Sequence, residues 1–252
     1  MLKHLPISSL EIFERLKLSC KLAPVVEEIV RCQIIQDAAK AEGIAVKDRE
    51  LQQAADDFRA QYNLYNPATT WEWLKKNHLT GDDFEQLICE SIITSKLIQH
   101  LFADRVEPYF YEHQLEFTQA VLYEIVFADF DTAIEQFYAL EEKEVTFAQV
   151  CREYIREPNL RRQHGYKGIV SRANLNSAIS SAVFRANPPE VLKPIIVGKN
   201  VHLILVEEII EPQLNELLHN QIINQLFSAW LQKQAQQYSI EVNTQLNEAQ
   251  IC

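Results

Sequence analysis

The sequence predicts an α+β protein in which a small sheet domain is inserted into a mainly helical module. Three observations support this fold class. Apolar residues recur at helical spacing through roughly the first 115 residues, short β-branched and aromatic runs follow, and the last long segment returns to helical spacing. Because that last helix cannot bury its apolar stripe alone, we expect it to pack back on the N-terminal helices.

The N-terminal region is predicted to contain four helices, which start at Leu22, Asp48, Thr69 and Thr80. The first ends at Gly43, a residue favoured just after a helix C-terminus. Thr69 and Glu72 have the spacing of a capping box, so Thr69 is taken as the start of the third helix. Pro108 lacks a backbone N–H and is expected to break the fourth helix.

The middle of the chain alternates strand-like and helix-like segments. Strands are predicted at residues 120–127, 168–171, 194–197 and 201–207, and helices at 131–140, 146–156 and 174–184. Residues 157–165 are interpreted as a loop, and Pro212 as the first residue of the last helix. The predicted domains are therefore a helical module at 1–116, an inserted domain at 117–211 and a C-terminal helix at 212–252.

Composition excludes several classes of function. The 252 residues carry a net charge of -11, which argues against a nucleic-acid partner because phosphate binding needs clustered Lys and Arg. No run of about 18 apolar residues occurs, so no membrane insertion is expected. The five cysteines are widely spaced and form no C-x-x-C pair, so we expect free thiols, no metal and no cofactor. Charged residues interrupt positions 1–18, so no signal peptide is predicted and a cytoplasmic location is expected.

Four ordered segments resemble a known family. Residues 164–172 (HGYKGIVSR) are similar to the turn and strand "GGDLGWFSR" of parvulin-type peptidyl-prolyl isomerase domains, also called PpiC or rotamase domains. Residues 182–184 (AVF) with 189–195 (PEVLKPI) resemble "AAF…PGEVSxPI", and residues 198–207 (GKNVHLILVE) resemble "GYHLIKVE".

The helical part resembles a second group of proteins. Residues 39–51 (AKAEGIAVKDREL) are similar to the N-terminal region of SurA and PrsA-type chaperones. With the parvulin-like segments, the resemblance covers about 215 residues. It implies a SurA-like helical module that carries a parvulin domain, with a four-stranded antiparallel sheet and surrounding helices.

The resemblance also implies site residues. Parvulin domains place two histidines on adjacent central strands beneath the bound proline, and His202 occupies the second of these positions. Glu124 stands in the first position, and Glu157 falls near the family's acidic or thiol position. The implied substrate-binding residues are apolar or aromatic: Leu175, Ile179, Phe184 and Tyr123.

Glu124 needs a structural explanation because it lies in an otherwise apolar strand. An unpaired buried carboxylate is costly, so Glu124 should either face a partner or lie at an exposed edge. If it faces His202 across paired strands, each would favour the charged form of the other, giving an ion pair where the family has two imidazoles.

The expected function is prolyl cis/trans isomerisation with chaperone-like peptide binding, at reduced activity because the first histidine is missing. The alternative is a catalytically silent parvulin fold that holds a precursor or export-substrate peptide. The expected partner is a proline-containing unfolded or precursor polypeptide, and a role beside a peptide-export or maturation system is a weaker alternative. Trp71 and Trp73 are interpreted either as core residues or as a peptide-binding platform.

Overall fold

A computed structural model of the chain describes residues 4–242 and separates two compact units. One unit takes the chain up to Val106 and again from His219, and the other comprises Glu107–Leu218. The second unit begins earlier than the expected boundary at residue 117, because the long helix that links the units continues past Pro108. Among residues 4–242, no helix is long and apolar enough to cross a bilayer.

The first unit consists of helices. They are α1 (Ser9–Leu18), α2 (Leu22–Ala41), α3 (Asp48–Gln61), α4 (Pro67–Lys76), α5 (Gly81–Glu112, which continues into the second unit) and the C-terminal α11 (Glu216–Ala235, which begins in the second unit). Phe102 of α5 and Phe227 of α11 are both buried, with ring centroids 6.3 Å apart. The C-terminal helix therefore contributes to the core of the same unit as the N-terminal helices.

Three predicted helix boundaries are wrong. Helix α4 starts at Pro67 and not at Thr69, because the Asn66 side chain caps it by accepting a hydrogen bond of 2.9 Å from the Thr69 backbone N–H. Pro108 lies inside α5 and does not end it. Pro212 precedes the last helix, which begins at Glu216.

The two tryptophans of α4 have different environments. Trp73 packs edge-on against Phe58 at 5.4 Å and joins the cluster around the buried residues Leu74, Phe84 and Ile88. Trp71 is exposed. Since the two rings lie on different faces of the helix, they do not form one aromatic platform.

The second unit is built on an antiparallel sheet. Its strands are β1 (Gln119–Phe127), β2 (Tyr166–Ser171), β3 (Glu190–Val191), β4 (Ile195–Val197) and β5 (Asn200–Ile210), and its helices are α6 (Gln114–Phe117), α7 (Phe130–Glu141), α8 (Phe147–Tyr154), α9 (Pro158–Arg162) and α10 (Ser177–Val183). The order across the sheet is β2-β1-β5-β3, and β4 also pairs with β5. Strands β1 and β5 are therefore central.

Within residues 4–242 the sheet has five strands, where four were expected. The additional strand, β3, has two residues and pairs with Leu205 and Val206, whereas β4 pairs with residues 200–202 of the same strand. Because β1 takes the other edge of β5, these two short strands lie one after the other along one edge. A two-residue strand is too short to show the alternation on which strand prediction depends.

The segment 157–165, interpreted from the sequence as a loop, contains helix α9. Glu157 is its N-cap and accepts hydrogen bonds from the backbone N–H groups of Asn159 and Leu160. Pro158 occupies the first helical turn, where its missing N–H has no cost. The loop prediction is therefore wrong for these five residues of α9.

The two faces of the sheet pack differently. The odd-numbered residues Ile125, Phe127 and Leu203 are buried against α7 and α8. The even-numbered residues Leu122 and Ile204 are buried against α10. This division follows from the two-residue period of a strand, which sends neighbouring side chains to opposite faces.

Candidate active site

A cavity of about 290 Å³ lies on the even-numbered face of the sheet in the second unit. Five of its ten lining residues are apolar and the other five are polar or charged. They are Leu122, Glu124, Lys167, Val170, Asn174, Leu175, Asn176, Ile179, His202 and Ile204. An apolar cup with a few convergent polar groups is the usual form of a small binding site.

Glu124 and His202 meet inside this cavity. Glu124 pairs with Ile204 in the β-ladder and His202 pairs with Val126, so the two side chains are diagonal neighbours on one face. The His202 Nδ1 atom lies 2.7 Å from the Glu124 Oε1 atom. Both side chains are mostly buried, at 13% exposed for Glu124 and 15% for His202. Of the two explanations for Glu124, the structure therefore shows a partner and not an exposed edge.

Lys167 is the third member of this group and was not identified from the sequence. Its Nζ atom lies 2.9 Å from the Glu124 Oε2 atom, and its side chain is 46% exposed. The two carboxylate oxygens are thus divided between an ammonium and an imidazole. Charge-assisted pairs of this kind hold a carboxylate in a defined orientation.

A bulge places Lys167 in the cavity. The β1–β2 ladder pairs Leu122 with Gly168 but Tyr123 with Tyr166, so Lys167 is the unpaired extra residue. In a regular ladder Lys167 would oppose Tyr123, whose ring packs on the other face near Phe147. The shift in register turns the lysine toward Glu124. No local pattern in the sequence marks this bulge except Gly168, which has a φ of +88°.

The charged state of Glu124 follows from its neighbours. Burial acts to raise the pKa of its carboxyl group, but hydrogen bonds from Lys167 and then His202, together with the charge of Lys167, outweigh burial and lower the pKa below its ordinary value. Glu124 is therefore ionised near neutral pH. An ionised carboxylate only accepts hydrogen bonds, so Nδ1 of His202 is the donor in their contact.

Gly165 supports Glu124 from the backbone side. The Glu124 N–H donates a 2.8 Å hydrogen bond to the Gly165 carbonyl oxygen. Gly165 has a φ of +78°, and a Cβ atom placed there would lie 2.7 Å from the Glu124 carbonyl oxygen. This position therefore requires glycine, which fits the turn that the sequence resemblance includes.

The other predicted site residues are distributed unevenly. Leu175 and Ile179 line the cavity, as expected for residues that would hold a proline ring. Phe184 packs against the same apolar cluster but is absent from the lining, and the Arg172 guanidinium lies 5.3 Å from its ring centroid. Tyr123 points to the opposite face, where its ring lies 5.2 Å from that of Tyr166.

Glu157 is also separate from the cavity lining. Its carboxylate accepts the backbone N–H groups at the start of α9, and these hydrogen bonds lower the pKa of Glu157. The position expected for an acidic or thiol group therefore serves as a helix cap. Asn174 and Asn176, which line the cavity on the short segment before α10, were missed because turn-forming asparagines carry no distinctive motif.

Within residues 4–242, no group of three or more His, Cys, Asp or Glu residues could hold a metal ion. Cys20, Cys32, Cys89 and Cys151 are free thiols, and Cys252 lies outside the described residues. Burial raises the pKa of the Cys151 thiol to about 12, so this thiol stays protonated.

Comparison with known proteins finds a family match for the second unit. Residues 102–217 match the family described as PPIC-type PPIASE domain. The chain is 22% identical over 211 residues to the foldase protein PrsA of Halalkalibacterium halodurans, a match that covers 80% of this chain and 62% of the length of that relative.

Solved structures are similar over most of the chain. A crystal structure of the peptidylprolyl isomerase PrsA from Bacillus cereus matches with a TM-score of 0.51 at 15% identity, and covers 94% of this chain and 90% of that one. A SurA-like chaperone from Campylobacter jejuni matches with a TM-score of 0.38 at 15% identity, covering 84% of this chain and 94% of that chain. The family match, the PrsA relative and the Bacillus cereus structure confirm the α+β fold class and the resemblance to parvulin-type domains and PrsA that was stated from the sequence.

Proposed function

We propose that the parvulin-type domain of this chain, residues 102–217, binds proline-containing segments of unfolded polypeptides and catalyses their cis/trans isomerisation at a reduced rate. The observation that carries this proposal is the cavity in which an apolar wall meets the Glu124–His202 pair. The similarity to PrsA foldases supports the same class of substrate.

Prolyl isomerisation requires no nucleophile or cofactor; it requires a binding site of suitable shape and electric field. Rotation about a peptide bond crosses a barrier of about 18–20 kcal/mol, and X–Pro bonds exchange over tens of seconds or longer. A catalyst must bind the twisted amide better than either planar form. Leu175 and Ile179 would hold the proline ring in the dry part of the cavity, while His202 and Glu124 set the electric field beneath it.

The negative charge of Glu124 is the reason to expect a reduced rate of isomerisation. Where the family has an imidazole, this chain has an ionised carboxylate that is 2.7 Å from His202. A negative charge in a partly buried cavity acts strongly because little water screens it. Since it would alter the field at the substrate amide, we expect a rate below that of parvulins with two histidines.

The first test is magnetisation exchange between cis and trans Ala-Pro and Glu-Pro peptides, measured by NMR with the full chain. Faster exchange that is lost in His202→Ala would support the proposal. His100→Ala is a matched control, because His100 pairs with Glu42 in the helical unit at 2.9 Å and should leave the exchange unchanged. If exchange is faster than in buffer but equal in wild type and His202→Ala, the proposed site is wrong.

The alternative function is a silent binding module. The carboxylate in the first histidine position favours it, because catalysis could be lost while the apolar wall is retained. Peptide resonances that shift on binding without faster exchange would support this alternative. Glu124→His then provides a further test, since the substitution returns the family's imidazole and should raise the exchange rate if the cavity is otherwise competent.

The helical unit is proposed to act as the chaperone part of the protein, together with the C-terminal helix. The domain limits expected from the sequence (1–116, 117–211 and 212–252) stay part of this proposal. Suppression of aggregation of a reduced and denatured model protein by the full chain would test it, with His202→Ala expected to retain that effect.

Two further predictions concern the cellular setting: a role beside a peptide-export or maturation system, and a cytoplasmic location. Fractionation of cells that express the tagged chain would test the location.

A further inference from the structure

Lys167 has a role that the family resemblance does not suggest. A carboxylate placed beside a single histidine would stabilise the protonated imidazolium, which is the ion pair expected from the sequence. The structure contains a second cation, the Lys167 ammonium, 2.9 Å from the other carboxylate oxygen. Glu124 therefore has a permanent counter-charge that does not depend on a proton at His202.

We infer that Lys167 replaces the proton of His202 as the counter-charge of Glu124, so that His202 is a neutral imidazole carrying its hydrogen on Nδ1 and leaving Nε2 free for a bound peptide. The part of this inference that concerns the peptide rests on the proposed function. Lys167 is then a positioning residue, because it contacts Glu124 and acts on His202 through it.

The geometry supports each step. Glu124 uses Oε2 for Lys167 and Oε1 for His202, so the ammonium and the imidazole do not compete for the same oxygen atom. An ionised Oε1 atom requires a donor, which assigns the ring hydrogen of a neutral His202 to Nδ1. Within the described residues, no hydrogen bond to Nε2 is found, and His202 lines the cavity. Nε2 of His202 is therefore the ring nitrogen that is available to a ligand.

The charged surroundings of His202 are simple. Among the described residues that line the cavity, the groups facing it from β1 and β2 are Glu124 and Lys167, with opposite charges. The remaining lining residues are neutral: Leu122, Val170, Asn174, Leu175, Asn176, Ile179 and Ile204. On the other edge of β5, His202 pairs with Ile195, which is apolar. A change in the protonation of His202 can thus be attributed to these two charges.

The test is an NMR titration of the full chain labelled with ¹⁵N-histidine. The chain has seven histidines, and the His202 signals are assigned by their absence in His202→Gln. Removing the positive charge in Lys167→Met should make His202 keep its proton to higher pH, by about 0.5 to 1 pH unit for a half-exposed pair at this range. Lys167→Arg should restore the wild-type titration, and Glu124→Gln should move it in the opposite direction.

A matched control removes a similar ion pair elsewhere. Lys96 contacts Glu50 at 3.0 Å in the helical unit, so Lys96→Met should leave the His202 titration unchanged. If Lys167→Met does not fold, Lys167→Gln makes the same charge change with a polar side chain. The inference is overturned if neither variant moves the titration of His202, or if the neutral ring of the wild type carries its hydrogen on Nε2.

These readouts are independent of catalysis. The titration and the ¹⁵N shifts need no substrate, so they succeed or fail whether or not the chain isomerises proline. If exchange catalysis is present, its pH profile should move by the same amount as the titration in Lys167→Met. If Lys167→Met shifts the His202 titration but leaves the pH profile of catalysis unchanged, Lys167 sets only the charge of His202. That outcome would refute an effect of Lys167 on the reaction.

Discussion

The two faces of the sheet are made by alternate residues of the same two central strands, yet one face is filled and the other is open. On the filled face, Ile125, Phe127 and Leu203 pack against α7 and α8. On the open face, Glu124 and His202 lie in a cavity of about 290 Å³. The Glu124 and His202 side chains of the open face are paired with each other, and no buried side-chain N or O atom in the described residues lacks a hydrogen-bond partner.

Stability and the proposed function are separated here by a single residue step along each strand. Leu203 and His202 are neighbours in sequence, but the first belongs to a core cluster and the second to the cavity. A strand can combine both roles because its side chains alternate between faces. Substitutions at adjacent positions should therefore have very different effects.

The largest effect is expected on the filled face. Leu203 is fully buried, so Leu203→Ala should lower the free energy of unfolding by about 2–5 kcal/mol through lost burial and a new cavity. Denaturant unfolding measures this loss. His202→Ala is the adjacent comparison and should cost less stability while removing the proposed isomerase activity. Equal losses in the two variants would contradict the proposed division between the faces.

The next effect concerns the turn that supports Glu124. Gly165→Ala should cost about 1–3 kcal/mol, because the new Cβ atom would meet the Glu124 carbonyl oxygen at 2.7 Å in a backbone with a φ of +78°. Gly198→Ala is the control, with a φ of +60° but open space around the Cβ position. Thermal unfolding of both variants separates the steric contact from the backbone conformation. If Gly198→Ala is the more damaging, the close contact is not what requires glycine.

A smaller change in stability with a larger change in binding is expected on the open face. Leu175 is half-buried, so Leu175→Ala should cost about 1 kcal/mol of stability and weaken peptide binding several-fold. Leu140→Ala is a matched control, since Leu140 is also half-buried but packs on the filled face. Peptide titrations followed by NMR would show the difference. Equal weakening by both variants would mean that Leu175 acts only through stability.

The smallest effect is a pH dependence at Glu124. Because its pKa in the folded protein is lowered from the ordinary 4.5, Glu124 stabilises the fold above that pH, and this contribution is lost as the pH falls through the lowered value. Glu124→Gln should therefore make stability less dependent on pH in the acid range. Urea unfolding between about pH 3 and 6 tests this.

Glu157→Gln provides the comparison for this titration. The pKa of Glu157 is also lowered, by hydrogen bonds from the backbone N–H groups of Leu160 and Asn159, but this side chain is exposed. Solvent screening should make its pH effect the smaller of the two. A larger effect at Glu157 would show that the Lys167 and His202 contacts do little for the charge of Glu124.

Much of the fold could be predicted because its signals are local. The strand at 120–127 matches β1, and the hairpin around Gly198 matches β4 and β5. The secondary-structure predictions that were wrong depended on details that hydrophobic periodicity does not show. These details are a two-residue strand, a helix of five residues capped by Glu157, and a proline within α5. The family resemblance implies Tyr123 as a substrate-binding residue, but its odd position in β1 places its side chain on the filled face.

By itself, the sequence determined the order of the elements, the α+β class and the two strand residues, Glu124 and His202, that meet in the cavity. Only the tertiary structure decided that Lys167 joins them. The reason is physical: side-chain periodicity is a property of a few consecutive residues, whereas the register between β1 and β2 depends on residues far apart in the chain. The bulge that turns Lys167 toward Glu124 exists only in that pairing, and so does the charge balance of the site.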